Sequence, residues 1–134
     1  MDRTFMRLLQ WLVLLSILVL LAACTGNPAL TVVPSAVDLG EIAADAPVTT
    51  AVRIQNTGTG ELRITGLTTS CGCTTAKMAH DRLAAGATSQ LTMSFDPRAH
   101  PGLYGPVLRM VYLQSNDPAQ TEVKVPIHVT IMEP

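Results

Sequence analysis

The residues with the clearest chemical potential are Cys71 and Cys73, which are separated by the single residue Gly72 in a chain with only one other cysteine, Cys24. Two thiols at this spacing can form a small disulfide ring, exchange with the thiols of another molecule, or bind one soft metal ion. Thiols of exported proteins tend to become disulfides, whereas those of cytosolic proteins stay reduced. The compartment of the chain therefore decides how the pair is interpreted.

The first 23 residues have the layout of a secretory signal peptide. Arg3 and Arg7 precede an apolar run of 14 residues, 8–21, which is followed by the small residues Ala22 and Ala23. A helix that spans a bilayer needs roughly 20 apolar residues, so this run is short for a permanent anchor. The pattern predicts a segment, residues 1–23, that is removed during export.

The sequence Leu21-Ala22-Ala23-Cys24 resembles the bacterial lipobox. This resemblance implies that Cys24 is acylated with a diacylglyceryl group, receives chains such as palmitate, and becomes the mature N-terminus. More than one acyl chain gives a stable membrane anchor. We therefore expect a lipoprotein of the bacterial cell envelope that faces the extracytoplasmic side. The alternative is an uncleaved signal anchor in which Cys24 is an incidental thiol.

The composition of the mature chain excludes some functions. Removal of 23 residues from the 134-residue chain leaves 111, enough for one domain with its own core. Seven Lys and Arg residues are scattered against nine Asp and Glu, a formal charge of −2, so the clustered positive charge that nucleic-acid binding requires is missing. The sequence contains no nucleophile elbow, paired-carboxylate signature or phosphate-binding glycine loop. A thiol oxidoreductase is the one enzymatic interpretation that stays open.

Most of the mature chain shows the two-residue period of half-buried β-strands. Turn sequences rich in Gly, Pro, Asn and Asp separate the strands. We expect an all-β antiparallel sandwich of about seven strands over residues 35–134, preceded by a flexible tether over 24–34. The predicted inward residues are Val48, Thr50, Val52, Ile54, Leu62, Ile64, Leu91, Met93, Phe95, Val123, Val125, Ile127, Val129 and Ile131.

Two stretches predict more specific positions in the sheets. "PVLRMVYLQ" is apolar on both faces apart from Arg109, which predicts a strand that is deeply sandwiched or faces a partner. Pro126 interrupts the last strand, and because proline cannot donate to a sheet ladder, it predicts an edge strand or a bulge. An edge strand near the C-terminus would be available to a partner or guarded against one.

Five stretches of the mature chain resemble the DUF1573 family of exported bacterial proteins: "VDLGEI" (37–42), "RIQNTGTGELRITGLTTSCGCT" (53–74), "LTMSFDP" (91–97), "GLYGPVLRMVYLQSNDP" (102–118) and "VKVPIHVTI" (123–131). The resemblance implies a seven-stranded immunoglobulin-like sandwich, similar to ASH and Hydin modules and to the major sperm protein fold. Such domains are usually taken as interaction modules, so it implies a protein or cell-envelope partner.

Four interpretations of Cys71 and Cys73 stay open. They are packed apolar residues or a passive disulfide under the turn after "ELRITGL", a redox-active pair, a soft-metal site, or an intermolecular disulfide. A soft ion such as copper could use Met78 and His80 as weak auxiliary ligands. A ring between residues i and i+2 closes a very short loop and should stabilise the fold little. We expect a binding or scaffold module, with thiol or copper-type chemistry as the alternative function.

Overall fold

The computed structural model describes residues 3–21 and 26–134. A helix, α1, spans Arg3–Leu21. Among the described residues, no helix combines the length and the apolarity needed to cross a membrane. A 3-10 turn, Pro97–Ala99, precedes the eighth strand. The strands are β1 Leu30–Val33, β2 Val37–Ile42, β3 Val48–Asn56, β4 Leu62–Thr69, β5 Thr74–Met78, β6 Arg82–Leu83, β7 Thr88–Phe95, β8 Gly105–Ser115 and β9 Glu122–Ile131.

The strands of the described chain form two sheets that pack face to face. One sheet has the order β1-β3-β7-β5, and the other has the order β2-β9-β8-β4-β6. The predicted sandwich is confirmed, but it has nine strands rather than about seven, because the short strands β1 and β6 extend the sheet edges. The prediction of purely antiparallel sheets is wrong, because β2 pairs with β9 in parallel. The chain crosses from the first sheet to the second between β1 and β2.

Alternate residues of the long strands face the space between the sheets, as a two-residue period requires. The predicted inward residues are all buried or half-buried. The fully buried members of that set are Val52, Ile54, Leu62, Leu91, Met93, Phe95, Val125, Ile127, Val129 and Ile131. The hydrophobic faces predicted from the sequence are therefore confirmed.

The edge position predicted for the last strand is wrong. Strand β9 lies between β2 and β8 in the five-stranded sheet. Pro126 is tolerated there because the pairing with β2 begins one residue later, at Ile127, so only β8 lies beside the proline. The edge strands of the two described sheets are β1, β5, β2 and β6.

Strand β8 is central in its sheet, but its outer face is not sandwiched. Val111 and Leu113 are buried between the sheets, whereas Leu108 is 47% exposed on the opposite face. The prediction of a deeply sandwiched strand is therefore wrong, because a two-layer fold covers only one face of each sheet. On the outer face, the Lys124 ammonium lies 5.8 Å from the centre of the Tyr112 ring, close enough for a cation–π contact.

The segment before β1 is part of the domain. The backbone N–H of Thr59 donates to the carbonyl oxygen of Asn27 at 2.9 Å. Gly58 approaches the same segment so closely that a Cβ atom there would collide with the Asn27 carbonyl oxygen, so a residue without a side chain is required. The flexible tether predicted over 24–34 is therefore wrong for its described part, residues 26–34.

Asn56 holds together the end of the sandwich at which this segment lies. Its side chain is 0% exposed. Its Nδ2 group donates to three backbone carbonyl oxygens, those of Gly60, Leu83 and Ala84, at 2.7, 3.0 and 3.2 Å. Its Oδ1 atom accepts from two backbone N–H groups, those of Ala29 and Gly58, at 3.2 and 3.0 Å. One amide thus joins three segments of chain.

Asp117 is the second buried polar anchor at this end, with a side chain that is 2% exposed. Its Oδ2 atom accepts from the backbone N–H of Leu30 at 2.8 Å, and its Oδ1 atom accepts from those of Ala119 and Gln120 at 2.8 and 3.3 Å. These hydrogen bonds, that from Leu30 first, hold the pKa of Asp117 below its usual range against the opposing effect of burial. The carboxylate ties the start of β1 to the turn between β8 and β9.

Candidate functional site

The cysteine turn lies at the opposite end of the sandwich from Asn56. It joins β4 to β5, and Thr74, the first residue of β5, pairs with Phe95 at the end of β7. The hydroxyl of Thr69 donates to the carbonyl oxygens of Cys71 and Thr74, both at 3.0 Å. The side chain of the last residue of β4 therefore closes the turn.

Cys71 and Cys73 are joined by a disulfide, with their Cα atoms 5.2 Å apart. The two sulfurs lie in different environments. Cys73 is 2% exposed and belongs to a core cluster with Phe95 and Ile131, whereas Cys71 is half-buried at its border. Cys71 is therefore the sulfur that a molecule in solution reaches first.

Arg109 is the cation nearest the buried sulfur. It lies on the inward-facing row of β8, two residues before the buried Val111, and its Nε group donates to the Cys73 Sγ atom at 3.1 Å. A further bond joins its Nη1 to the Leu108 carbonyl oxygen at 2.9 Å. Among the described residues, Arg109 forms no ion pair with a carboxylate. A guanidinium in this position favours a thiolate over a thiol at Cys73.

His100 lies beside the other sulfur. Its Nε2 atom is 3.5 Å from the Cys71 Sγ atom. The 3-10 turn Pro97–Ala99 leads into His100, and Asp96 before that turn donates its backbone N–H to the Cys73 carbonyl oxygen at 2.8 Å. The loop that carries the imidazole is therefore tied directly to the cysteine turn.

The three side chains also form a possible ligand set. The sulfurs of Cys71 and Cys73 and a ring nitrogen of His100 all lie within 4.8 Å of one another. With the disulfide open, two thiolates and one imidazole suit a soft ion such as Cu(I). The residue in position to supply a third ligand is His100.

The remaining predicted site residues lie apart from the disulfide. Met78 is at the far end of β5, where it packs against the main core cluster, which does not include the cysteines. His80 is exposed, and its backbone N–H donates to the Ser89 hydroxyl at 2.9 Å. The predicted lipidation site, Cys24, lies outside the described residues.

The sequence does not indicate that His100 and Arg109 meet the cysteine pair. His100 is 29 residues from Cys71, and Arg109 is 36 residues from Cys73. One feature of the sequence could have identified Arg109, because it is the single charged residue in the apolar stretch of β8. A charge on the inward row of a sandwich strand needs a specific partner.

In the part of the chain that the structure describes, β5 is an edge strand, and its edge beside the turn is open. The other side of β5 pairs with β7. On that side the Cys73 carbonyl accepts from the Asp96 N–H, and the Ala79 N–H donates to the Gln90 carbonyl. In an antiparallel pair, alternate residues direct their backbone groups to the same side. The backbone groups of the intervening residues, Thr74, Ala76 and Met78, therefore face the open edge.

Only some of the backbone N–H and carbonyl groups on this edge form hydrogen bonds within the domain. The N–H of Thr74 donates to the Cys71 carbonyl oxygen at 3.2 Å, and its carbonyl accepts from the Thr69 hydroxyl. Ala76 and Met78 have no comparable hydrogen bonds among the described residues. Two consecutive outward positions of β5 thus present unpaired backbone donors and acceptors next to the disulfide.

Three solved structures show which class of fold this is. A protein of unknown function from Porphyromonas gingivalis W83 is 23% identical, with a TM-score of 0.69, over 81% of this chain and 48% of that one. The ASH/PapD-like domain 7 of human CEP192 is 8% identical, with a TM-score of 0.60, over 81% and 88% of the two chains. The YadV chaperone is 12% identical, with a TM-score of 0.58, over 78% and 52%. The fold is an immunoglobulin-like sandwich of the ASH and PapD-like type.

The family follows from the sequence. The model of the DUF1573 family, described as proteins of unknown function, matches residues 30–130, so the chain belongs to that family. The chain spans about half the length of the P. gingivalis protein. No curated protein matches it significantly.

Proposed function

We propose that the chain is a lipid-anchored binding module of the bacterial cell envelope that recognises an extended segment of a protein partner outside the cytoplasm. The signal-like segment 1–23 and the lipobox ending at Cys24 support export and anchoring. The ASH and PapD-like sandwich supports a binding rather than a catalytic scaffold. The open edge of β5 is the observation that carries the mode of binding.

The chemistry of the partner follows from the side chains of β5. A strand that added to this edge would bond to the free backbone groups of Ala76 and Met78. Lys77 lies on the exposed face of β5, whereas Ala76 and Met78 turn inward and are half-buried. The preferred partner segment therefore has small apolar residues towards the core and an acidic residue beside Lys77.

Replacement of Ala76 by proline tests the open edge. Proline removes the outward N–H group and leaves the bonds to β7 intact, because those are made by the neighbouring residues. We expect a photocrosslinking residue at the exposed position Thr75 to give a discrete envelope adduct with the otherwise unchanged chain. A76P should reduce the yield of that adduct by about tenfold, the effect of losing roughly 1.4 kcal/mol of binding free energy.

Val32→Pro is the matched control for A76P. Val32 lies on β1, the other edge of the same sheet. It shares the outward row of that strand with Leu30, whose backbone N–H points away from β3 to Asp117, because alternate residues direct their backbone groups to the same side. V32P should keep the adduct at Thr75. An adduct that survives A76P, or that V32P removes equally, would rule out recognition at β5. Thermal unfolding of both variants identifies any loss of the fold.

A second test addresses the anchor. In the parent chain, we expect an intact mass for residues 24–134 plus a diacylglyceryl group and further acyl chains. Cys24→Ser should abolish incorporation of an alkyne-labelled palmitate, because serine offers no thiol for the thioether. A control variant with Cys71 and Cys73 both changed to serine should keep the label. Labelling of C24S, or a mature chain without lipid, would contradict the proposal.

A further inference from the structure

We infer that the Cys71–Cys73 disulfide is a two-electron acceptor for dithiols, in which Cys71 is the sulfur attacked and Cys73 leaves as a thiolate stabilised by Arg109. The inference goes beyond partner binding and does not depend on it. It is carried by the asymmetry of the site, since the two sulfurs differ in both exposure and charged neighbours.

The exposure of the two sulfurs determines which is attacked. Cys71 is half-buried at the border of the core cluster, whereas Cys73 belongs to that cluster and is 2% exposed. Thiol–disulfide exchange requires access to the attacked sulfur. An incoming thiolate can therefore reach Cys71, whereas the burial of Cys73 keeps the thiolate away from that sulfur.

The charge near Cys73 favours its departure. Exchange is faster when the leaving thiolate is more stable. The Arg109 Nε group already donates to the Cys73 sulfur at 3.1 Å, and among the described residues no carboxylate neutralises this guanidinium. The positive charge is therefore in place before the negative charge develops on Cys73.

The reaction proceeds in two exchanges. A partner thiol loses its proton, for which the His100 imidazole, 3.5 Å from the Cys71 sulfur, is the nearest acceptor. The resulting thiolate bonds to Cys71, the bond between Cys71 and Cys73 breaks, and Cys73 leaves with the electron pair. The partner's second thiolate then attacks the partner sulfur of the mixed disulfide and releases Cys71 as a thiolate. The partner dithiol becomes a disulfide, and its two protons and two electrons are recovered in the two cysteine thiols.

Trapping of the mixed disulfide tests which sulfur reacts. The full chain is purified in detergent with Cys24 changed to serine, so that every adduct comes from the pair. The oxidised pair is incubated with reduced glutathione and quenched with an alkylating agent, and fragment mass spectra should place glutathione on Cys71 and the alkyl group on Cys73 at least about tenfold more often than the reverse. Equal amounts of the two adducts would overturn the assignment of Cys71 as the sulfur attacked.

The role of Arg109 is tested by the rate at which dithiothreitol opens the disulfide at neutral pH. Arg109→Met should open about tenfold more slowly, because the leaving thiolate loses its cation, and Arg109→Lys should recover most of the rate. Arg53→Met is the matched control, since Arg53 is exposed on β3, and it should react like the parent chain.

The possible outcomes are distinct. If R109M and R109K both open at the parent rate, Arg109 does not stabilise the leaving group and the inference fails. If R109M is poorly folded in thermal unfolding, R109K and the trapping comparison decide the question, because neither removes the charge at position 109. Dithiothreitol and glutathione need no docking on β5, so these results are independent of the A76P experiment.

Discussion

Replacement of Asn56 by alanine is expected to lower the free energy of unfolding by about 3 kcal/mol. The amide of Asn56 is fully buried and satisfies backbone groups on three segments of chain. Alanine would leave the buried Leu83 carbonyl and four partly buried backbone groups without this partner, and each group that stays unsatisfied is costly. In a domain of this size the loss corresponds to a decrease in the unfolding temperature of roughly 10–20 °C. Thermal and urea unfolding measure it.

Asn116→Ala is the matched control for N56A. Asn116 also bonds through both ends of its amide, accepting from the Arg63 N–H at 2.7 Å and donating to the Glu61 carbonyl oxygen at 2.9 Å. Because these groups are exposed, water replaces the lost bonds, and the expected loss is under about 1 kcal/mol. Equal losses in N56A and N116A would show that burial of the Asn56 network does not determine its contribution.

Replacement of Asp117 by asparagine is expected to produce a pH-dependent loss of stability. Its carboxylate accepts three backbone hydrogen bonds, which lower its pKa in the folded state. Such a group stabilises the fold above the unfolded aspartate pKa of about 3.9, and the contribution disappears as the pH falls through the lower folded pKa. D117N should therefore be about 2 kcal/mol less stable at neutral pH, and the difference should shrink in acid.

Urea unfolding of the parent chain and D117N between neutral pH and about pH 2 measures this difference. Asp38→Asn provides the charge-matched control, because the exposed Asp38 carboxylate accepts a single backbone hydrogen bond, from Gly40. D38N should change stability little. A loss in D117N that is the same at every pH would show that altered contacts, and not the charge of Asp117, cause it.

The sequence predicts the sandwich because strand periodicity and turn residues are local signals. The rows that include Val52, Leu91 and Ile127 can be assigned from their spacing alone, since alternate residues of a strand share a face. The strand order cannot be assigned in the same way. Pro126 suggests an edge, yet its strand is internal, because the neighbouring strand β2 begins its pairing just beyond the proline. That offset depends on where two distant segments come into register.

The candidate site is predicted only in part for a similar reason. The cysteine pair can be recognised in the sequence because a single residue separates Cys71 from Cys73. Met78 and His80 are near in sequence, but an extended strand carries them away from the turn, since each residue adds about 3.3 Å. His100 reaches Cys71 from the loop before β8, and Arg109 reaches Cys73 from β8 itself. No spacing in the sequence predicts either contact.

If Cys24 carries the lipid, the attachment of residues 26–29 to the sandwich would limit the height of the disulfide above the membrane. Only Thr25 separates Cys24 from Gly26, and the two steps from residue 24 to residue 26 span at most about 7 Å. The Asn56 end would then rest close to the lipid headgroups. Strand β3, with nine residues from Val48 to Asn56, separates the two ends by about 27 Å. The disulfide would stand no more than about 34 Å from the lipidated residue, so its partners would be those that come within that distance of the bilayer.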